Sequence, residues 1–273
     1  MKLIIIGGQS NGTDRFQIPN NIALETQALQ RDVNVYYKPV DNITDNGNWE
    51  TAYVGWEYPD FPTKRQNTQP GVVQVDKFGV LVSMGYRLKY TYNHQSYIMP
   101  VALGGSYIAD DITPGWNVNH TNDFYDRMID WYWTPAKSKL PTQFQNKEPI
   151  LVWIHGESDA DTLIHGNAYY ANMVALIAAF RADTGHPNAK VILTKLRSDY
   201  GGPSLGLAAV RTAQVDLANN IPGVYLIDTD TASFPLSPDG QHYNPITNTF
   251  GGTQSATNLG IAIADVIGGF WNN

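Results

Sequence analysis

Along the chain, short runs of aliphatic and β-branched residues alternate with longer segments whose apolar positions recur every three or four residues. The runs Lys2–Ile6, Val33–Tyr37, Tyr97–Leu103, Ile150–Ile154, Val191–Leu196 and Val224–Ile227 read as strands. Several carry apolar residues in near-unbroken series, as strands buried on both faces do. The periodic segments Ile22–Gln30, Asp76–Tyr92, Asn122–Leu140, Ala168–Thr184, Leu205–Asn219 and Ser255–Gly268 read as helices. This order predicts a parallel α/β sheet with right-handed crossovers, helices on both faces and a ligand site at its carboxyl edge. Neither a repeat nor a linker interrupts it, so one domain is expected over residues 1–273. Two stretches break the pattern. Residues 41–75, rich in Asn, Thr, Gln and Pro and carrying Trp49, Tyr53, Trp56 and Tyr58, show neither period and read as a long loop insertion; loops of that length are uncommon and often functional. Ser198–Ser204 and Thr229–Thr253 are punctuated by glycine and proline.

Composition narrows the classes of function. With 273 residues, 42% hydrophobic and 16% charged, the chain can bury about three quarters of the surface it exposes when unfolded, so a soluble globular protein is expected. A net charge of −7 and a pI near 5.2 argue against nucleic acid and anionic membranes as partners, because both require clustered Lys and Arg. Lys2 is followed by only four aliphatic residues, short of the roughly 7–15 of a signal-peptide core, and no run approaches the ~20 that span a bilayer. Neither export signal nor anchor is expected within the chain. The absence of cysteine removes disulfides, thiolate metal sites and cysteine nucleophiles, and leaves the compartment open.

The candidate chemistry lies at the ends of the expected strands. Leu3–Ile6 stops at Gly7-Gly8-Gln9-Ser10-Asn11-Gly12, where glycines let the backbone turn sharply beside a ligand; Ser10 is the candidate nucleophile, although such a block alone is commonly just a turn. Asp239 precedes His242 by three residues in the late loop. That spacing lets a carboxylate hold one imidazole nitrogen while the other faces a serine; a solvated turn or a pair of metal ligands would read the same. Trp153-Ile154-His155-Gly156-Glu157-Ser158-Asp159 ends another strand and offers a hydrogen-bond donor with a carboxylate to orient it. Ala102-Leu103-Gly104-Gly105-Ser106 ends a fourth, with glycine N–H groups free to face a ligand. Each block has an ordinary structural explanation, and the weight lies in their joint occurrence.

Together the Gly-Gln-Ser-Asn, Gly-Gly-Ser, Trp-x-x-Gly-Glu-Ser-Asp and Asp-x-x-His blocks resemble the SGNH hydrolase superfamily, most of all its sialate O-acetylesterase and acetylxylan esterase group, carbohydrate esterase family six. The blocks keep the family order from Gly8 to His242. The resemblance implies a three-layer α/β/α sandwich around a mostly parallel, about five-stranded sheet of the flavodoxin-like SGNH type, so that one of the six strands would be peripheral. It implies Ser10 as nucleophile, His242 as general base and acid, and Asp239 as its orienting partner. The oxyanion hole would be the amides of Ser10 and Gly105, with Gly104 as the alternative to Gly105. Asn11 and Glu157 would be supporting residues. His155 stands where the family usually has Gln; it is expected either to replace that amide as third oxyanion donor or to pack at the strand end. The implied activity is removal of O-acetyl groups from a carbohydrate, a polysaccharide or a sialic-acid-type sugar, with no metal or cofactor. Similar domains occur in phage tail proteins, so a virion-associated or mature secreted setting fits. The competing readings are a lipid or short-chain ester hydrolase on the same scaffold, which would wall its site with aliphatic side chains, and a non-catalytic glycan-binding module, which would have no use for Ser10, Asp239 and His242 together.

Overall fold

The computed structural model describes residues 1–12, 16–17, 33–37, 48–51, 77–78, 80–243 and 255–270. In chain order the strands are β1 (Lys2–Gly8), β2 (Phe16–Gln17), β3 (Val33–Tyr37), β4 (Asn48–Thr51), β5 (Lys77–Phe78), β6 (Ser96–Pro100), β7 (Pro149–Ile154), β8 (Lys190–Thr194) and β9 (Val224–Ile227). Between and after them lie α1 (Val80–Tyr90), α2 (Phe124–Arg127), a π-helical segment (Met128–Trp133), α3 (Thr134–Ser138), α4 (Leu163–Thr184), α5 (Leu207–Asn220) and α6 (Ser255–Gly269). The expected helix Ile22–Gln30 lies outside the described residues.

One sheet of seven strands runs in the order β4-β3-β6-β1-β7-β8-β9, and β2 pairs with β5 in a separate antiparallel ribbon. All six strands expected from the sequence join the large sheet in parallel, and β4 adds an antiparallel edge. The sheet is therefore wider than the five strands implied by the resemblance. β1, buried at every position, lies at its centre. Alternate side chains of the central strands feed two cores. Leu3, Ile5, Leu151, Trp153, Val191 and Leu193 pack with Met173, Ile177 and Phe180 of α4 and Val210 and Leu217 of α5. Ile4, Ile6, Ile98, Val152 and Ile192 pack on the other face with Leu81, Met84 and Leu88 of α1 and Ile263 and Ile267 of α6. Burial on both faces is why these strands read as apolar runs rather than as an alternation, and the result is the α/β/α layering.

Three local departures from the expected elements have identifiable causes. β6 ends at Pro100, yet the N–H groups of Val101 and Leu103 donate to Ile6 and Gly8 (2.7 and 2.9 Å), so the chain follows β1 to its end as the apolar run to Leu103 suggests. The expected helix Asn122–Leu140 starts on an Asp123 cap and widens into the π-helical segment just before Pro135, whose missing N–H cannot return to the preceding turn. Within 41–75, residues 48–51 form β4 rather than loop. Trp49 sits edge-on to Tyr36 and Tyr97, at 5.2 and 5.0 Å between ring centroids, and its indole N–H donates to the Ala136 carbonyl at 3.0 Å. That aromatic is part of the packing; Tyr53, Trp56 and Tyr58 lie outside the described residues.

The connectivity fixes where a site can form. After β1 the chain adds β3 and β6 on one side, then crosses to lay down β7, β8 and β9 on the other. The reversal flanks β1, and open parallel sheets bind ligands at the carboxyl ends beside such a switch point.

Candidate active site

Ser10 opens a 3₁₀ turn, Ser10–Gly12, directly after β1. Gly8 makes that turn possible: its φ is +115°, and a Cβ there would lie 2.1 Å from the Ile154 carbonyl oxygen, so any side chain would collide with the backbone of β7. The Gln9 N–H then donates to Ile154 at 2.9 Å and sets Ser10 at the edge of the sheet.

From the opposite end of the sequence, the loop after β9 brings His242 over the serine. Nε2 of His242 is 2.9 Å from the Ser10 hydroxyl oxygen, and Nδ1 is 2.7 Å from Oδ2 of Asp239. The loop is shaped by Asp239 itself, whose Oδ1 accepts from the N–H groups of Gln241 (2.8 Å) and His242 (3.0 Å) and from the Ser237 hydroxyl (2.8 Å). This is the local side-chain-to-backbone bonding that lets a short Asp turn hold its form. Partial burial favours the neutral acid, but the hydrogen bonds from His242, Gln241 and Ser237 outweigh it and hold the Asp239 carboxyl well below the usual carboxylate range. The sequence-adjacent pair and the distant serine thus meet in one line of hydrogen bonds.

Asn11 and Glu157 meet beneath that line. The Asn11 amide donates to Oε1 of Glu157 (2.6 Å) and to the Gln241 carbonyl (3.2 Å), and its oxygen accepts from the Tyr243 N–H (3.0 Å). Glu157 is buried, which pushes its carboxyl pKa up, and its Oε2 has no hydrogen-bond partner among the described residues.

On the other flank of Ser10, Gly104 and Gly105 form a turn after β6, with Gly105 exposed at φ +71° and open space where a Cβ would stand. Ser106 pins this turn to β1: its hydroxyl donates to the Leu103 carbonyl at 2.7 Å, lies 3.3 Å from the Gly8 carbonyl, and accepts from the Trp116 indole at 2.7 Å.

His155 packs at the strand end, the second of the two sequence expectations, and also holds a backbone carbonyl. Its side chain is fully buried, stacked at 5.9 Å on Tyr169 and tilted against Trp153. Its Nε2 lies 3.2 Å from the Ser106 carbonyl, an acceptor, so that nitrogen carries the proton and donates; Nδ1 is left without a partner among the described residues. Burial drives the imidazole pKa down to about 3, so the ring is neutral and its N–H is directed to a backbone carbonyl. A third oxyanion donor at His155 does not fit this geometry, and more than strand-end packing is present: the ring holds the carbonyl one residue after Gly105. Asp159, which sequence reasoning left unassigned, joins it from below. It is fully buried, its Oδ2 accepts from the Ile108 N–H at 3.1 Å, and burial outweighs that contact and raises its pKa to about 7. The missed signal is two-residue alternation: His155, just past the end of β7, follows Leu151 and Trp153, which point into the core.

No group of three or more His, Asp or Glu suited to a metal ion occurs among the described residues, and no described helix is long and apolar enough to cross a membrane.

A model of the family described as carbohydrate esterase, sialic acid-specific acetylesterase matches residues 1–266. No curated protein matches the chain. Among solved structures, a protein from Arabidopsis thaliana is 20% identical over 97% of this chain and 96% of its own, with a TM-score of 0.66. NanS is 15% identical over 99% and 97%, with a TM-score of 0.64. XAC1771, described as a carbohydrate acetylesterase from Xanthomonas citri, is 15% identical over 96% of this chain and 55% of its own, with a TM-score of 0.55.

Proposed function

We propose that this chain, which belongs to the sialic acid-specific acetylesterase family of carbohydrate esterases, removes O-acetyl groups from a sugar through an acyl-enzyme formed on Ser10. Membership makes it an acetylesterase on an SGNH-type fold. What carries the assignment of residues is the line Asp239 Oδ2, His242 Nδ1, His242 Nε2, Ser10 Oγ, with links of 2.7 and 2.9 Å.

In this reading His242 Nε2 takes the Ser10 proton as the hydroxyl oxygen attacks the acetyl carbonyl carbon. Asp239, held as the carboxylate, accepts from Nδ1–H and so keeps the bare nitrogen toward the serine and stabilises the imidazolium that forms. The carbonyl oxygen becomes an oxyanion facing the amides of Ser10 and Gly105, preorganised donors that need no rearrangement as charge develops. Collapse breaks the ester C–O bond, and the imidazolium returns its proton to the departing sugar oxygen. Water then attacks the acetyl-serine with His242 again as base, releasing acetate and restoring Ser10. His155 takes no part in proton transfer in this reading, since its ring is fully buried and its one N–H is committed to the Ser106 carbonyl.

Acetate release from O-acetylated sialic acid, from acetylated xylan and from 4-nitrophenyl acetate, set beside hydrolysis of 4-nitrophenyl octanoate, tests the proposal. Turnover of an acetylated sugar and of the acetate ester, with little on octanoate, is expected; equal rates on acetate and octanoate would favour a lipid substrate instead.

A further inference from the structure

The geometry points to Asn11 as the positioning residue for the proposed base: one amide side chain, next to the nucleophile in sequence, brackets His242 from both sides and fixes the loop that carries it. The inference rests on the reading of Ser10 and His242 given above. Of the three contacts to Asn11, two go to the residues immediately before and after His242, the Gln241 carbonyl at 3.2 Å and the Tyr243 N–H at 3.0 Å. The third, to Glu157 Oε1 at 2.6 Å, comes from the end of β7. Two acceptors face the amide nitrogen and one donor faces the amide oxygen, so only one orientation of the side chain satisfies all three. Asn11 also belongs to the turn Ser10–Gly12. Nucleophile and base therefore share a mount, although 232 residues separate Ser10 and His242 in sequence.

The need for such a mount follows from how the base loop is otherwise held. Its internal bonds, from Asp239 to Gln241 and His242 and from Ser237 to His242 and Gly240, shape the turn but do not tie it to β1. Against the neighbouring loop it has the Gly201 N–H donating to Gly240 at 2.7 Å. Asn11 links it to the strand that carries Ser10. Glu157 acts one step further back: its buried oxygen orients the Asn11 amide, and it needs only an acceptor there, not a charge. Asn11 touches no reacting atom, so its loss should alter alignment rather than binding. Misplacement by about 1 Å can cost on the order of 10²-fold in rate.

The test is steady-state kinetics on 4-nitrophenyl acetate, with the rate of Ser10 labelling by a fluorophosphonate, for folded Asn11→Ala, Asn11→Asp, Glu157→Gln and the Asn11→Asp/Glu157→Gln double variant. Asn11→Ala is expected to lower kcat by about 10²-fold with KM little changed, and to slow labelling in proportion. Glu157→Gln keeps an acceptor for the Asn11 amide and should lose less than Asn11→Ala. Asn11→Asp, isosteric but acceptor-only, faces the Glu157 carboxylate and the Gln241 carbonyl and should fall as far as Asn11→Ala. In the double variant the new amide at 157 donates to the new carboxylate at 11 and should recover about tenfold of that loss. If Asn11→Ala fails to fold, the isosteric variants carry the decision. Wild-type kcat in Asn11→Asp, or no recovery in the double variant, would overturn the inference. An inactive Ser10→Ala alongside those results leaves the proposed function standing, whereas a Ser10→Ala that retains turnover overturns both.

Discussion

Ser10 is flanked by two walls built on opposite principles. The wall of the proposed base, Asp239 to His242, is exposed, with 48% of the Asp239 side chain and 36% of His242 accessible, and is shaped by bonds among neighbours in sequence. The proposed oxyanion wall, Gly104 to Ser106, is an open turn held by buried side chains from distant elements: His155, Asp159 through Ile108, and Trp116. The pKa directions follow the same division. On the base wall hydrogen bonds overcome partial burial and favour the charged carboxylate of Asp239, whereas burial favours the neutral forms of His155 and Asp159. Charge is thereby favoured where the proposed mechanism moves a proton. Beneath the proposed donors burial leans the framework toward its neutral forms, and its hydrogen bonds hold the turn's geometry.

The division yields its largest expected effect on the base side. Ser10→Ala should lower kcat by about 10⁴-fold or more, and His242→Ala should match it because the two act as a unit. Asp239→Asn should retain more activity than either, since the imidazole can still accept a proton in part. Because Ser10→Ala deletes a single hydroxyl and His242→Ala a partly accessible ring outside the core, their unfolding midpoints should stay close to wild type. A large fall in stability for His242→Ala would break the distinction between the walls.

Substitution on the oxyanion side should instead move stability and rate together. His155→Ala opens a cavity and leaves the Ser106 carbonyl unpaired, a loss of about 2–3 kcal/mol, with a smaller fall in kcat as the Gly105 turn loosens. His155→Gln can still donate to Ser106 and should keep most of both. Urea unfolding and kcat measured on the same preparations check this pair. A stable His155→Ala with a large rate loss would return His155 to direct contact with substrate.

The legibility of the two walls in sequence differs for the same physical reason. That Ser10, Asp239 and His242 are candidates for one site is legible because their signals are local: glycines at a strand end, and an acid three residues before a histidine; the structure brings the three side chains together. The six parallel strands were readable because burial on both faces leaves unbroken apolar runs. For His155 the sequence leaves donor and strand-end packing both open; choosing between them needs the strand end and its facing helix together, where the ring stacks on Tyr169. Asp159 acts on Ile108, 51 residues away, and nothing near it in sequence announces the contact. Trp49 was read as a loop aromatic because four residues of β4 are too few to show a period and their partner strand lies elsewhere.

The smallest expected effect concerns pH and stability. His155 has its folded pKa lowered to about 3, so the unfolded chain binds the proton first: its contribution is whole above about pH 6.5 and declines by about 1.4 kcal/mol per pH unit as pH falls toward 3. Asp159 has its folded pKa raised to about 7, so its contribution is whole below about pH 4 and declines at a similar slope as pH rises toward 7. Between about pH 4 and 6.5 the two oppose each other. Across that window the stability difference between wild type and His155→Gln should rise with pH, and that between wild type and Asp159→Asn should fall. Parallel slopes would show that these groups are not the buried neutral pair described.

The central claim is that Ser10 carries the acetyl group between sugar and water. Its most direct test is acid quenching of the enzyme during turnover of an acetyl ester, followed by mass spectrometry of its peptides. One acetyl group on the peptide containing Ser10, absent from the Ser10→Ala protein together with its turnover, is the predicted result. An acetyl group on another side chain, or undiminished turnover in Ser10→Ala, would contradict it.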